Sequence, residues 1–356
     1  MEGKDNGAPA VSVIMPIYNG ADYVGAAAAA VLQQTFGDFE LIAVDDGSTD
    51  GSGAILASIA ARDVRVRILK KENGGVSAAR NFGLRAARGK YVAFIDQDDC
   101  YLPDFLLRLV SAMDDTGADM ARCGRITLRM DGKGVLQADV ACHGRDEFLD
   151  NEAFAARYWE FKANKTFLNA AWSGMYRREF ILSCGAAFPE DMRCGGEDIA
   201  FNRQLFAAGA SVAVVSDILY LHYVRMGQSV SASARPSFGQ VLASTRPERA
   251  FIAAKAPGEA PMVDYMAMEE CAWAALHGPR GTRLRHIREA ASEIRPQRWP
   301  FAYLGRVGLC RALVWALLKL RMLRCYAGCA FAYTVVGKLV SHSLYPGSGR
   351  RVKNEG

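Results

Sequence analysis

Tyr91-Val92-Ala93-Phe94-Ile95-Asp96-Gln97-Asp98-Asp99 is the stretch from which the rest of the chain is best read. Tyr91 to Ile95 is an apolar run that suits a buried strand. Three carboxylates, Asp96, Asp98 and Asp99, sit at or just past its carboxyl end. Two unit charges about 4 Å apart interact by about 4 kcal/mol at an effective dielectric near 20, so such crowding needs an answer. A hard cation carrying phosphates is one answer, since Mg²⁺ or Mn²⁺ is held by one or two carboxylates plus phosphate oxygens. An acidic turn is another, with Asp99 N-capping a helix that starts near Leu102-Pro103. The run alone leaves both open.

Upstream, the pattern alternates. Val11 to Met15 reads as a strand stopping at Pro16, and Ala21 to Gln34 as a helix. Phe39 to Val44 reads as a strand and Gly51 to Arg62 as a helix. Val64, Val66 and Ile68 alternate with Arg65 and Arg67, which suits a strand with one more polar face. Val76 to Arg88 is helical before Tyr91 opens the next strand. This order predicts an α/β fold with a mostly parallel sheet flanked by helices and right-handed crossovers. Polar clusters follow each strand: Tyr18-Asn19, Asp45-Asp46, Asn73-Gly74-Gly75 and Asp96 to Asp99. Open α/β sheets bind ligands at that edge, so the loops converge on one cleft and favour a ligand over a simple cap.

The 356 residues leave room for one large domain or two ordinary ones, and 51% hydrophobic with 23% charged residues indicates a folded globular chain. A net charge of +5 is too mild to argue for nucleic acid. The nine cysteines form no Cys-x-x-Cys pair, and Met1 to Pro9 carries no apolar signal core. Reduced cytosolic thiols without a structural zinc are the expectation. No Gly-x-Gly-x-x-Gly or Walker motif follows the first strand, which excludes the common dinucleotide and P-loop chemistries.

Beyond Asp104 the alternation weakens. Phe105 to Met113 continues a helix, and residues 119–180 are mixed. Ile199 to Ala208 reads as helix, Val212 to Val215 and Ile218 to Tyr223 as strands. Arg235 to Pro261 suggests a boundary, and Met262 to Ile294 reads as helix.

The segments Val11 to Gly20, Gln34-Thr35 with Glu40, Val44 to Ser52, Asn73 to Gly83 and Gly89 to Asp99 resemble, in order and spacing, the family 2 nucleotide-sugar glycosyltransferases. That resemblance implies the GT-A fold, Rossmann-like, here with a helical C-terminal extension. It implies that Tyr18 with Asp45 or Asp46 contacts the uracil side, and that Pro16 and Asn19 shape that loop. Asn73 and Gln97 fall in the same nucleotide-sugar site. Asp96 looks like the ribose-side carboxylate, and Asp98 like the metal ligand of an Asp-x-Asp motif, with Asp99 assisting. For Arg80 two readings stand, a cleft residue near the diphosphate and a helix-surface ion pair. Ala171 to Arg178 resembles an acceptor-side segment that often reads Trp-x-Lys-x-Tyr-Arg-Arg; Trp172 matches, whereas Gly174 stands where lysine is common. Gly195-Gly196-Glu197-Asp198 resembles the Glu-Asp pair in which the aspartate is the base of inverting members.

The chemistry agrees. Inversion needs a carboxylate to take the acceptor's proton and a cation to stabilise the departing nucleoside diphosphate. Two glycines would let substrate approach the backbone closely. A helix N-terminus alone would weaken Asp198 as a base, so desolvation has to offset it. His222 is a candidate metal or phosphate group, alternatively a packed histidine, and Arg225 a candidate for the diphosphate.

From Ile294 to Asn354 there is no Asp or Glu, while basic, aromatic and leucine residues recur. The longest uncharged stretch, Cys325 to Gly337, falls short of the roughly 20 residues of a spanning helix. A peripheral segment on an anionic cytoplasmic membrane surface is expected, against a helical domain packing on the core. The expected organisation is a disordered 1–10, a catalytic domain 11–235 (nucleotide half 11–110, acceptor half 111–235), a helical extension 236–295, a basic apolar tail 296–345 and a flexible 346–356. The expected function is a Mn²⁺- or Mg²⁺-dependent transfer from a nucleotide-sugar to a glycan or lipid-linked glycan, at the inner face of the cytoplasmic membrane. The alternatives are a silent scaffold and, disfavoured by the lack of a Gln-x-x-Arg-Trp motif, a processive synthase.

Overall fold

A computed structural model describes residues 7–131, 134–163, 170–192, 195–225, 236–296, and residues 313, 315 and 316. The N-terminal elements are β1 (Val11–Ile17), α1 (Val24–Leu32), β2 (Phe39–Asp45), α2 (Ser52–Ala60), β3 (Val66–Lys70), α3 (Val76–Ala86) and β4 (Tyr91–Phe94). They alternate as expected, and β3-β2-β1-β4 pair in parallel. Every residue of β1, β2 and β4 is buried, as central parallel strands covered on both faces require. Val13 and Met15 face α1, α2 and the later α4, whereas Ile14 faces α3, following the period of two along a strand. β1 runs through Pro16 instead of stopping there. By that register β4 has ended at its Ile14–Phe94 pair, so one side of Pro16 has no ladder to serve.

The second half is β5 (Cys100–Tyr101), α4 (Phe105–Thr116), β6 (Met120–Asp131), β7 (Gly134–Ala141), β8 (Glu147–Leu149), α5 (Asn151–Ala156), α6 (Tyr158–Ala163), β9 (Gly174–Arg177), α7 (Arg178–Cys184), α8 (Glu197–Ala207) and β10 (Val212–Arg225). The sheet continues from β4 as β9-β6-β10-β5. β9 is antiparallel to both β4 and β6, whereas β6 and β10 pair in parallel, so the sheet is mixed. The two strands expected between Val212 and Tyr223 are one strand with register shifts between Val214 and Tyr220. That irregularity re-aims the end of β10 toward the acidic run.

Among the described residues there follow α9 (Phe238–Lys255), α10 (Ala260–His277) and α11 (Arg283–Glu293). α9 is started by a Ser237–Gln240 capping box and runs with Pro247 inside it. The helix expected over Met262 to Ile294 breaks at Gly278-Pro279. The extension docks through buried charge. Arg203 on α8 donates to Glu248 at 2.9 Å, Lys162 on α6 donates to Glu248, and Tyr158 Oη donates to Glu248 at 2.5 Å. Trp315 stacks on Tyr265 at 4.7 Å. The remainder of the basic tail lies outside the described residues. Among the described residues, no helix is long and apolar enough to cross a membrane.

Candidate active site

Loops at the carboxyl ends of β1 and β2 interlock. Asn19 takes a positive φ of 47°, and its Oδ1 accepts from Thr49 N at 2.8 Å while its N donates to Ser48 Oγ at 3.1 Å. Asparagine tolerates this left-handed geometry better than most residues. Pro16 is buried beneath, and the Tyr18 ring is 48% exposed, as a stacking platform requires. Asp45 accepts from Ser48 N at 2.9 Å. Asp46 is taken up internally: Lys71 Nζ, Gly74 N and Gly75 N all donate to it, at 2.5, 3.0 and 2.8 Å. It therefore shapes the loop that carries the exposed Asn73.

The acidic run joins this cleft through Gln97. Its Oε1 accepts from Tyr18 N at 2.9 Å and its Nε2 donates to Tyr18 O at 3.1 Å. The helix-cap reading of the run fails, because β5 follows Asp99 and α4 starts only at Phe105. Asp98 meets Arg225 Nη1 at 2.9 Å. Burial first, then Asp99 and Asp96, push the Asp98 carboxyl up to about 6 despite Arg225. An anion held this reluctantly wants more positive charge than the chain supplies.

Asp99 corrects an expectation. It is 3% exposed, and its oxygens accept from Tyr220 Oη at 2.8 Å and Tyr223 N at 2.9 Å and contact His222 Nδ1 at 3.0 Å. With both oxygens engaged by the end of β10, Asp99 is an anchor and not a metal ligand. Burial alone would lower the His222 pKa, but Asp99 raises it, and the contact commits Nδ1, leaving Nε2. Among the described residues, no cluster of three or more His, Cys, Asp or Glu could hold a metal ion.

Of the two readings left open for Arg80, the helix-surface ion pair fails, because the residue is 2% exposed. Nη2 donates to Asp96 at 2.6 Å, and Nη1 donates to Glu197 at 2.9 Å and Asp198 at 2.8 Å. One guanidinium on α3 thus gathers carboxylates from the end of β4 and the start of α8. Burial, then Glu197 and Asp96, outweigh Arg80 and raise Asp198 to about 7. Gly195 and Gly196, at φ of 94° and 89°, make the turn that starts α8, a conformation closed to most side chains.

Trp172 is 7% exposed and stacks on Tyr220 at 4.4 Å and on His222 at 4.7 Å. It is less an open acceptor platform than a wall joining the acceptor segment to the acidic run. The sequence reading missed Arg122, Tyr176 and Asn202, which form a buried chain beneath Asp198. The unusual signal was a charged residue inside the strand Met120 to Cys123.

A sheet of this order with acidic residues at its switch edge defines a GT-A type fold. A family profile described as "Glycosyl transferase family 2" matches residues 12–182. The glycosyltransferase GlyG of Streptococcus pneumoniae serotype 4 is 39% identical over 61% of this chain and 71% of its own length. The succinoglycan biosynthesis protein ExoO of Rhizobium meliloti (strain 1021) is 31% identical over 62% of each chain. The crystal structure of S. aureus TarS 1-349 in complex with UDP-GlcNAc superposes with a TM-score of 0.65 at 19% identity, covering 92% of both chains. The chain belongs to glycosyl transferase family 2. It spans less than two thirds of some relatives, 61% for an uncharacterized glycosyltransferase of Bacillus subtilis (strain 168).

Proposed function

We propose that this glycosyltransferase moves a sugar, with inversion, from a uridine-diphosphate donor to a saccharide or lipid-linked saccharide during cell-surface polysaccharide synthesis. The observation that carries it is the Arg80 bridge, which ties donor-side Asp96 to Asp198 across two elements. Tyr18 offers the base a face, and Asp96 offers the ribose an acceptor. Asp98 fits a divalent cation, because its anionic surroundings are only partly answered by Arg225. Bound there with phosphate oxygens, Mn²⁺ or Mg²⁺ would supply charge stabilisation to the departing diphosphate. His222 Nε2 and Arg225 are the neighbouring groups for the same phosphates.

Asp198 takes the proton of the acceptor hydroxyl as that oxygen attacks the anomeric carbon. The anomeric bond to the diphosphate breaks, and its electron pair leaves with the nucleotide. A base poised near 7 suits this step at neutral pH. Glu197 shares Arg80 with Asp198 and keeps the guanidinium from neutralising it fully. The name of ExoO supports a polysaccharide setting. The composition of the tail supports peripheral attachment to the inner face of the cytoplasmic membrane. The test is a screen of nucleotide-sugars with and without Mn²⁺, starting with UDP-GlcNAc. Metal-dependent turnover of one donor is expected; no turnover and no nucleotide binding would defeat the proposal.

A further inference from the structure

Arg122 on β6 is 0% exposed, and among the described residues it makes no ion pair. Its hydrogen bonds go to neutral acceptors. Nη1 donates to Tyr176 Oη at 2.9 Å, and Nη2 donates to Ala170 O and to Ser173 Oγ at 3.1 Å. Nε has no hydrogen-bond partner among the described residues. Its neighbour Arg125, half-buried, is pulled down to about 10 by burial and then by the charge on Arg122. A buried cation facing only neutral groups is expensive to keep, and an apolar side chain of similar volume would fill the space more favourably.

What the guanidinium holds explains its presence. Ala170 and Ser173 are the two ends of a short turn. Tyr176 Oη lies 3.0 Å from Ala171 O within that turn, and Trp172 there stacks on His222 at 4.7 Å. Tyr176 Oη, which accepts from Arg122, donates to Asn202 at 2.8 Å, one helical turn beyond Asp198 on α8. Arg122 also fills the place of a side chain at its β-partner Gly174, where a Cβ would lie 2.6 Å from Arg122 Nη1 and 2.6 Å from Ala121 O. A lysine at position 174 has no room, and the cation comes from the next strand.

We propose that Arg122 is a positioning residue for the proton-accepting carboxylate, clamping the 170–173 turn and, through Tyr176 and Asn202, the start of α8 that carries Asp198, with Trp172 held against His222. The proposal rests on Asp198 being the base. Its core is tested without turnover by following the carboxyl ¹³C titration of Asp198, assigned with Asp198→Asn, in wild type, Arg122→Met, Arg122→Lys and Ser173→Ala. Freeing Tyr176 and the turn loosens the packing at the start of α8, so Arg122→Met should move the Asp198 midpoint by about half a unit or more. Ser173→Ala should move it less, in the same direction, and Arg122→Lys should restore part of the shift.

With an accepted donor and acceptor, Arg122→Met should lower kcat for transfer about tenfold or more, while nucleotide binding stays within about twofold. If Arg122→Met does not fold, Arg122→Lys and Ser173→Ala carry the same comparison. An unmoved Asp198 midpoint overturns the proposal, as does a loss of kcat matched by loss of nucleotide binding and not recovered by lysine. If wild type transfers no sugar yet the midpoint moves, the clamp stands and the transferase assignment of this site falls.

Discussion

Arg80 Nη1 lies 2.8 Å from Asp198 Oδ1, and both side chains are buried. The same guanidinium reaches Asp96 through Nη2 at 2.6 Å. A donor that engages Asp96 therefore alters the field at Asp198 through a single side chain. Replacing Arg80 by methionine strands three carboxylates, and breaking a buried pair in this way costs about 3–5 kcal/mol. Arg80→Met should show that loss in denaturant melts and lower kcat/KM by about a hundredfold or more. Arg80→Lys, with charge but no fork, should recover stability better than activity.

The raised pKa of Asp198 sets two pH dependences of opposite sense. As a base it works only when ionised, so kcat/KM should fall with unit slope as pH drops below about 7. For stability, the folded pKa of about 7 lies above the ordinary 3.8, so the native state holds a proton that the unfolded chain has lost. The contribution is fully present below pH 3.8 and is lost as pH rises through 7. Asp198→Asn should therefore melt higher than wild type at pH 8 and not at pH 4, in thermal scans at both values.

Gly20 and Gln97 are coupled by contact, since a Cβ at Gly20 would lie 2.3 Å from Gln97 Oε1. Gly20→Ala should displace the amide that pairs with Tyr18 and weaken nucleotide binding by about tenfold. Gln97→Ala frees the space. The double variant should be less destabilised than the sum of the single ones, by about 0.5–3 kcal/mol in a double-mutant cycle.

The docking of the helical extension depends on Glu248, which is 1% exposed and answers Arg203 and Lys162. Glu248→Ala leaves both cations to Glu270 and should cost about 3–5 kcal/mol in denaturant melts. If the extension were loosely attached, that substitution would change the melt by less than about 1 kcal/mol.

The nucleotide half was legible because its strands are local in sequence and buried on both faces. Apolar runs such as Val11 to Met15, each followed by a polar loop, leave little choice of architecture, and β1 to β4 fall where the alternation placed them. The role of Asp99 was not legible, because its partners Tyr220, His222 and Tyr223 arrive from a strand far along the chain. Local spacing made Asp99 an assistant to Asp98, whereas the end of β10 engages both, Asp99 through Tyr220, His222 and Tyr223 and Asp98 through Arg225. Arg122 was missed for a related reason: its partners lie on β9 and in the turn before it.

The central claim is that Asp198 is the base of a site whose donor half is independently formed. Asp198→Asn and wild type should be compared for Mn²⁺-dependent nucleotide-sugar binding and for sugar transfer on the same samples. The account predicts donor affinity within about twofold and transfer reduced about a thousandfold or more. Transfer that survives in Asp198→Asn, with donor binding intact, would contradict it.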